Sequence, residues 1–225
     1  MFIIFEGLDG VGKTTQIDLI KETLRKQTEK KIHVFKWSSN YMKNIYSILD
    51  KKNIWNKDLV TGLIAGDFLS KYHNLQYKSA EIVLFDRYIY TALIRDISKG
   101  FSKEVISCLY EGVKTPDLVI FFKLDSNLIY ERLIKREREI KFWEYSSNKT
   151  TSIKDTQSEE KRVINYLDSL QMKYTSYFQN SSLNCYEIDC NNKSIIDINT
   201  QVQTIIDKEM GEFYGSKYNY SSVHK

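Results

Sequence analysis

Residues 7–14 read Gly-Leu-Asp-Gly-Val-Gly-Lys-Thr, a complete G-x-x-x-x-G-K-T run, and no other feature of the chain narrows the fold so far. The run follows the apolar stretch Phe2–Phe5 and precedes helix-forming sequence from Thr15 to about Glu29. Strand, glycine loop and helix in that order build a phosphate cradle. The glycines let the backbone turn successive N–H groups inward as an anion nest, and the helix start adds the positive end of its dipole. The expected phosphate holders are Gly7, Gly10, Val11, Gly12, Lys13, Thr14 and Thr15. Lys13 is placed to reach β- and γ-phosphates, and the Thr14 hydroxyl to reach Mg2+, so ATP and Mg2+ are the expected ligands.

The rest of the chain agrees with such a loop. Apolar runs at Phe2–Phe5, Ile32–Phe35, Ile82–Phe85, Leu118–Phe122 and Cys185–Ile188 are short and flanked by polar turns, as buried strands are. Helical patterns fall near 13–29, 57–78, 102–113, 126–141, 156–178 and 194–210. This alternation predicts an α/β protein of the P-loop NTPase fold: a five-stranded parallel sheet with helices on both faces and a lid segment. Ligands in such sheets bind at the carboxyl ends of the strands. The expected boundaries are a kinase domain over residues 1–211, a lid region at 131–160 within it, and a polar, tyrosine-rich tail at 212–225, either loose or docked. Within the lid, residues 145–160 read as a mobile loop.

Composition closes off other classes. A hydrophobic fraction of 42% in 225 residues is enough for one sizeable core. No stretch approaches the ~18 apolar residues of a membrane span, and the N-terminal residues read as a first strand where a signal peptide would need a basic start. Net charge is +4, with positive and negative residues interleaved, which argues against a nucleic-acid partner and suits anionic metabolites. Cys108, Cys185 and Cys190 lack C-x-x-C spacing, as expected of free thiols in the cytoplasm. The histidines, at 33, 73 and 224, are too scattered to suggest a metal site.

After the apolar run Ile82–Phe85 stands Asp86-Arg87-Tyr88. A carboxylate at a strand end beside a phosphate loop can hold Mg2+ directly or through water, and Arg87 offers a bidentate fork for a phosphate. Asp86 with Thr14 forms the expected metal site.

The string Phe5-Glu6-Gly7-Leu8-Asp9-Gly10-Val11-Gly12-Lys13-Thr14-Thr15-Gln16 resembles the opening of thymidylate kinases, FEGxDGxGKTTQ, and Asp86-Arg87-Tyr88 is similar to the DR(Y/H) motif of that family. The resemblance extends over nearly the whole chain. It implies that Asp9 faces the acceptor nucleotide near its sugar or phosphate, that Arg87 holds the acceptor phosphate, and that the protein forms a homodimer. The implied reaction is phosphorylation of a nucleoside monophosphate by ATP, dTMP + ATP to dTDP + ADP as the best single acceptor.

The positions implied to read the base depart from the family pattern. Thr91 stands for a Ser, Arg95 for a Tyr and Asp96 for a Gln. Trp37, Ser38 and Ser39 fill the segment after the second strand, and Asp67 stands where a family helix carries an Arg. These residues complete the expected acceptor pocket. W-S-S, A-x-D-F and DRYxYTAxxRD together resemble a divergent branch of the family. Asp67 and Asp96 either pair inside the protein, which leaves thymidylate as acceptor, or face the ligand, which favours a base that donates hydrogen bonds.

Residues 131–144, Glu-Arg-Leu-Ile-Lys-Arg-Glu-Arg-Glu-Ile-Lys-Phe-Trp-Glu, follow the fourth apolar run. In nucleoside monophosphate kinases a lid here brings arginines over the transferring group. Arg132 is expected at the nucleotide, and Arg136 and Arg138 at the reacting phosphates, where guanidinium charge suits the transition state. Two readings compete with a thymidylate kinase. One is a P-loop kinase of a different nucleotide or of another phosphorylated metabolite. The other is a regulatory NTPase with little transferase activity.

Overall fold

The computed structural model describes residues 1–52, 54, 56–73, 81–137 and 159–219. It contains strands β1 (Phe2–Gly7), β2 (Ile32–Lys36), β3 (Ile82–Asp86), β4 (Leu118–Lys123) and β5 (Cys185–Asp189). The helices are α1 (Lys13–Gln27), α2 (Asn40–Lys51), α3 (Lys57–His73), α4 (Ile89–Ser98), α5 (Lys103–Leu109), α6 (Ser126–Glu137), α7 (Glu159–Gln179) and α8 (Ile195–Asn219).

The five strands form one sheet in the order β2-β3-β1-β4-β5. Every pairing is parallel. β1 is central and all six of its residues are buried, the signature of a strand with neighbours on both edges and cover on both faces. β5 lies at an edge, and only Ile188 in it is buried. On β4, Phe121 and Phe122 point to opposite faces. Phe121 meets Tyr174 and Phe178 of α7 at ring-centroid distances of 5.9 and 5.1 Å, whereas Phe122 stacks on Phe5. Helix α1 packs against β1, β2, β3 and α8, while α4 packs against α5 and α7.

The chain runs from β1 out to β2, returns through β3, and crosses to the far side of β1 at β4. That reversal opens a crevice at the carboxyl ends of β1 and β3. Register sets what faces it: Phe5 pairs with Asp86, so the loop after β1 and the Asp86-Arg87 turn emerge together.

Several boundaries differ from the sequence expectation. α2 and α4 were not among the expected helices; residues 89–98 were read for their motif and not for periodicity, and residues 41–51 carried no assignment. α3 is described to His73, and residues 74–78 of the expected helix lie outside the described residues. α8 runs to Asn219, past the expected 210, so the tyrosine-rich segment from 212 begins as helix. Tyr214 docks there: its hydroxyl accepts a hydrogen bond from the Met1 amino group at 3.3 Å, and the Lys30 ammonium lies 4.2 Å from its ring centre. The mobile loop expected at 145–160 lies outside the described residues up to 158, and α7 begins at Glu159. Among the described residues no helix is long and apolar enough to cross a membrane.

Candidate functional site

The loop between β1 and α1 is built by close approach and by unusual backbone angles. At Gly7 a Cβ would sit 2.6 Å from the Phe122 carbonyl oxygen, so only glycine permits the contact with β4. Gly12 precedes α1 with φ 105°, a left-handed value that a side chain would strain. Val11 turns its side chain into the core and leaves only its backbone to the loop. Thr14 and Thr15 are exposed on the cleft.

Lys13 is buried. Its Nζ donates to the carbonyls of Gly7 at 3.2 Å and Leu8 at 2.8 Å. Burial, helped by the nearby Arg87 cation, lowers its pKa to about 8. The Thr14 hydroxyl donates to Asp86 Oδ2 at 2.7 Å. One neutral and one anionic oxygen thus stand side by side, a donor pair that fits Mg2+ when phosphate oxygens and water supply the rest.

Across the cleft, Asp9 binds two arginines. Arg87 Nη2 donates to Oδ1 at 2.7 Å, and Arg95 Nη2 to Oδ2 at 3.0 Å. Burial by itself would raise the Asp9 carboxyl, but Arg87, Arg95 and Lys13 outweigh it and hold the group well below its usual range. Arg87 Nη1 and Arg95 Nε are buried without a hydrogen-bond partner. Buried cationic donors left open in this way fit an anion. Arg87 itself has φ 68°, a conformation that β-carbon residues adopt at a cost and that is found at functional turns.

One cleft of about 450 Å³ lies at this site. Its wall comprises Asp9, Gly10, Gly12, Lys13, Thr14, Thr15, Lys36, Trp37, Ser38, Asp86, Arg87 and Arg132. Arg132 of α6 donates to the Gly10 carbonyl at 3.0 Å, which ties α6 to the glycine loop after β1. Arg136 lies in α6, and Arg138 lies outside the described residues.

The remaining expected acceptor residues are engaged by the protein. Ser39 donates to Asp67 through its N–H at 2.9 Å and its hydroxyl at 2.7 Å. Asp67 also pairs with Lys71 at 3.1 Å. Asp96 is buried and pairs with Lys99 at 3.2 Å. Burial raises its carboxyl, while Lys99, Arg95 and Thr61 pull it the other way. Thr91 is buried and its hydroxyl donates to Glu6 at 3.0 Å.

Glu6 is the residue that sequence reasoning passed over. It is fully buried, and burial raises its pKa against the pull of Arg87. Its Oε1 accepts the Tyr88 N–H at 2.8 Å, and Thr91 caps the other oxygen. A carboxylate held beneath Tyr88 anchors the strained Arg87 from one side, and the Arg87 N–H donating to the Phe5 carbonyl at 3.0 Å anchors it from the other. The signal was there: a charged residue inside a strand that is otherwise wholly apolar.

The chain matches the thymidylate kinase family over residues 5–202. A probable thymidylate kinase of Methanococcus maripaludis is 35% identical over 146 residues, which cover 62% of this chain and 68% of that protein. The probable thymidylate kinase 2 of Saccharolobus solfataricus is 29% identical over 145 residues, covering 63% and 67%. The crystal structure of thymidylate kinase from Ehrlichia chaffeensis superposes with a TM-score of 0.62 at 17% identity, covering 92% of this chain and 98% of that one. That likeness shows the same fold.

Proposed function

The chain belongs to the thymidylate kinase family, and we propose that it transfers the γ-phosphoryl group of ATP to thymidylate, giving thymidine diphosphate and ADP. The bond from the γ-phosphorus to the β-bridging oxygen breaks, and a bond to an oxygen of the acceptor phosphate forms. One observation supports this above others: a single cleft is lined by Lys13, Thr14, Asp86 and Arg87, with Asp9 in its wall tied to Arg87 and, behind it, to Arg95.

The residues divide the work. The loop from Gly7 to Thr15 cradles the triphosphate through backbone N–H groups. Lys13 exchanges its carbonyl partners for the β- and γ-phosphates, whose charge offsets the burial that depresses its pKa. Thr14 and Asp86 hold Mg2+, which neutralises charge on the phosphate oxygens. Arg87 and Arg95 turn their open donors to the acceptor phosphate and fix it in line. Asp9, bonded to both, orients them and lies where the acceptor sugar arrives. Arg132, with Arg136 and Arg138 of the lid, screens the transferring group. Residues 1–211 serve as the kinase domain and 131–160 as its lid. On family grounds the protein acts as a cytoplasmic homodimer.

ADP release in the presence of ATP and Mg2+ tests the reading, with and without each nucleoside monophosphate. Thymidylate should stimulate release and become phosphorylated. Release that is slow and indifferent to every acceptor would replace the kinase with a regulatory NTPase.

A further inference from the structure

The wall formed by residues 36–39 is fastened by a network separate from the phosphate chemistry. Lys71 lies one turn beyond Asp67 on α3. Its Nζ donates to the carbonyls of Lys36 at 2.9 Å and Trp37 at 2.7 Å, and pairs with Asp67 Oδ2. Asp67 in turn accepts both the N–H and the hydroxyl of Ser39. Between these attachments, Phe68 packs under the Trp37 indole with ring centres 4.7 Å apart. A single turn of α3 therefore grips the segment at its start, middle and end, and Lys36, Trp37 and Ser38 face the cleft.

The segment needs such a grip. β2 is an edge strand, so residues beyond it have a strand neighbour on one side only, through the Trp37 N–H to the Asp86 carbonyl at 3.0 Å. Holding an irregular backbone costs roughly 1–2 kcal/mol per residue in entropy. Bonds from an ammonium to carbonyls, and from a hydroxyl and N–H to a carboxylate, are the strong, charge-assisted kind. Asp67 offers the ligand little, since both its oxygens are taken.

We propose that Lys71 and Asp67 are positioning residues for the acceptor side of the cleft: they staple the Trp37–Ser38 wall in place and do not themselves contact the acceptor. This rests on the reading that the cleft binds a nucleotide acceptor beside Arg87. The position that resembles a base-reading Arg in the family has here become part of the scaffold, and Lys71 is its partner.

The test uses the full chain with Trp55→Phe and Trp143→Phe as background, which leaves Trp37 as the only one of three tryptophans. In that background Lys71→Met should raise the KM for thymidylate about ten-fold or more, with the KM for ATP within about two-fold. Trp37 emission should shift to the red as the indole loosens. Lys71→Arg should restore most of both. Asp67→Asn keeps one acceptor oxygen for Ser39 and removes the charge, so it should move both readouts the same way by less; it serves if Lys71→Met fails to fold. An unchanged thymidylate KM and unchanged Trp37 emission in Lys71→Met would overturn the proposal. So would a rise in the ATP KM equal to that for thymidylate. If the wild-type protein phosphorylates no acceptor, the kinase reading fails, while the Trp37 emission in the background still decides the staple.

Discussion

Arg87 donates to Asp9 at 2.7 Å, so the turn after β3 and the phosphate loop after β1 are joined by charge across the cleft. Arg95 holds the second oxygen of the same carboxylate at 3.0 Å. An acceptor phosphate that reaches Arg87 meets this carboxylate and must share the guanidinium with it. On the proposed function, the pair therefore sets both the aim of Arg87 and the strength with which it takes the acceptor phosphate.

Replacing Asp9 by Asn leaves two largely buried guanidiniums facing each other. It should cost about 2 kcal/mol or more at pH 7, since removing one partner of a buried pair leaves its charge uncompensated. The sign with pH follows from the direction of the shift. The folded carboxyl lies well below the reference value of 3.8, so its contribution is complete above that value and is lost as pH falls through the folded value. Urea unfolding should show a smaller gap between wild type and Asp9→Asn at pH 3 than at pH 7. An equal gap at both would mean that the carboxylate is not paired in solution.

Lys13→Ala should lower turnover on the order of 10²-fold or more, typical of removing one preorganised charge from a transition state. Its stability should behave differently from that of a core mutant. Burial disfavours the Lys13 cation, which is why its pKa falls to about 8, so removing the charge relieves a cost. The melting temperature of Lys13→Ala should be equal to or above that of wild type. A clear drop in melting temperature, or near-normal turnover, would contradict the assignment.

The sheet and the phosphate loop were legible because period and order declare them: five apolar runs, each followed by polar turns, and one glycine run in register with a strand and a helix. The expected Thr14–Asp86 metal site requires the first and third strands to end side by side, and the Phe5–Asp86 register has that form. The acceptor side was less legible. Residues 89–98 follow Asp86-Arg87-Tyr88 so closely that motif matching hid a helix, and with it the fact that Thr91 turns to Glu6. Asp67 and Lys71 carried an i, i+4 signal, but a helix face does not say whether a carboxylate looks toward a ligand or back toward a loop. That depends on where residues 36–39 run, which only the folded chain fixes.

Glu6 tests how the strained turn is held. Glu6→Ala removes the acceptor for the buried Tyr88 N–H, and an unsatisfied buried donor costs about 1–3 kcal/mol. Because Tyr88 directly follows Arg87, the guanidinium should lose its aim, and the KM for thymidylate should rise more than the KM for ATP. Glu6→Gln keeps an oxygen for the Tyr88 N–H and should recover most of the acceptor affinity. Steady-state kinetics of the two variants provide the check; equal losses on both substrates would make Glu6 a core residue with no directional role.

Asp96 bears on which nucleotide is accepted. Its position resembles that of a base-reading Gln in the family, so a carboxylate facing the ligand would repel the carbonyls of thymine and favour a base that donates hydrogen bonds. The structure directs it elsewhere. Asp96 is buried, pairs with Lys99 at 3.2 Å, and is absent from the cleft wall. Asp67 is likewise occupied, by Ser39 and Lys71. With both aspartates satisfied internally, neither opposes thymine, and thymidylate remains the fitting acceptor. Asp96→Asn should therefore leave the ratio of kcat/KM for thymidylate over deoxycytidylate and guanylate within about two-fold of wild type, because a group that does not touch the base contributes no differential binding. Parallel assays of the three acceptors with both proteins decide the matter. A change of about ten-fold or more in that ratio would mean that Asp96 leaves Lys99 for the base when the nucleotide binds.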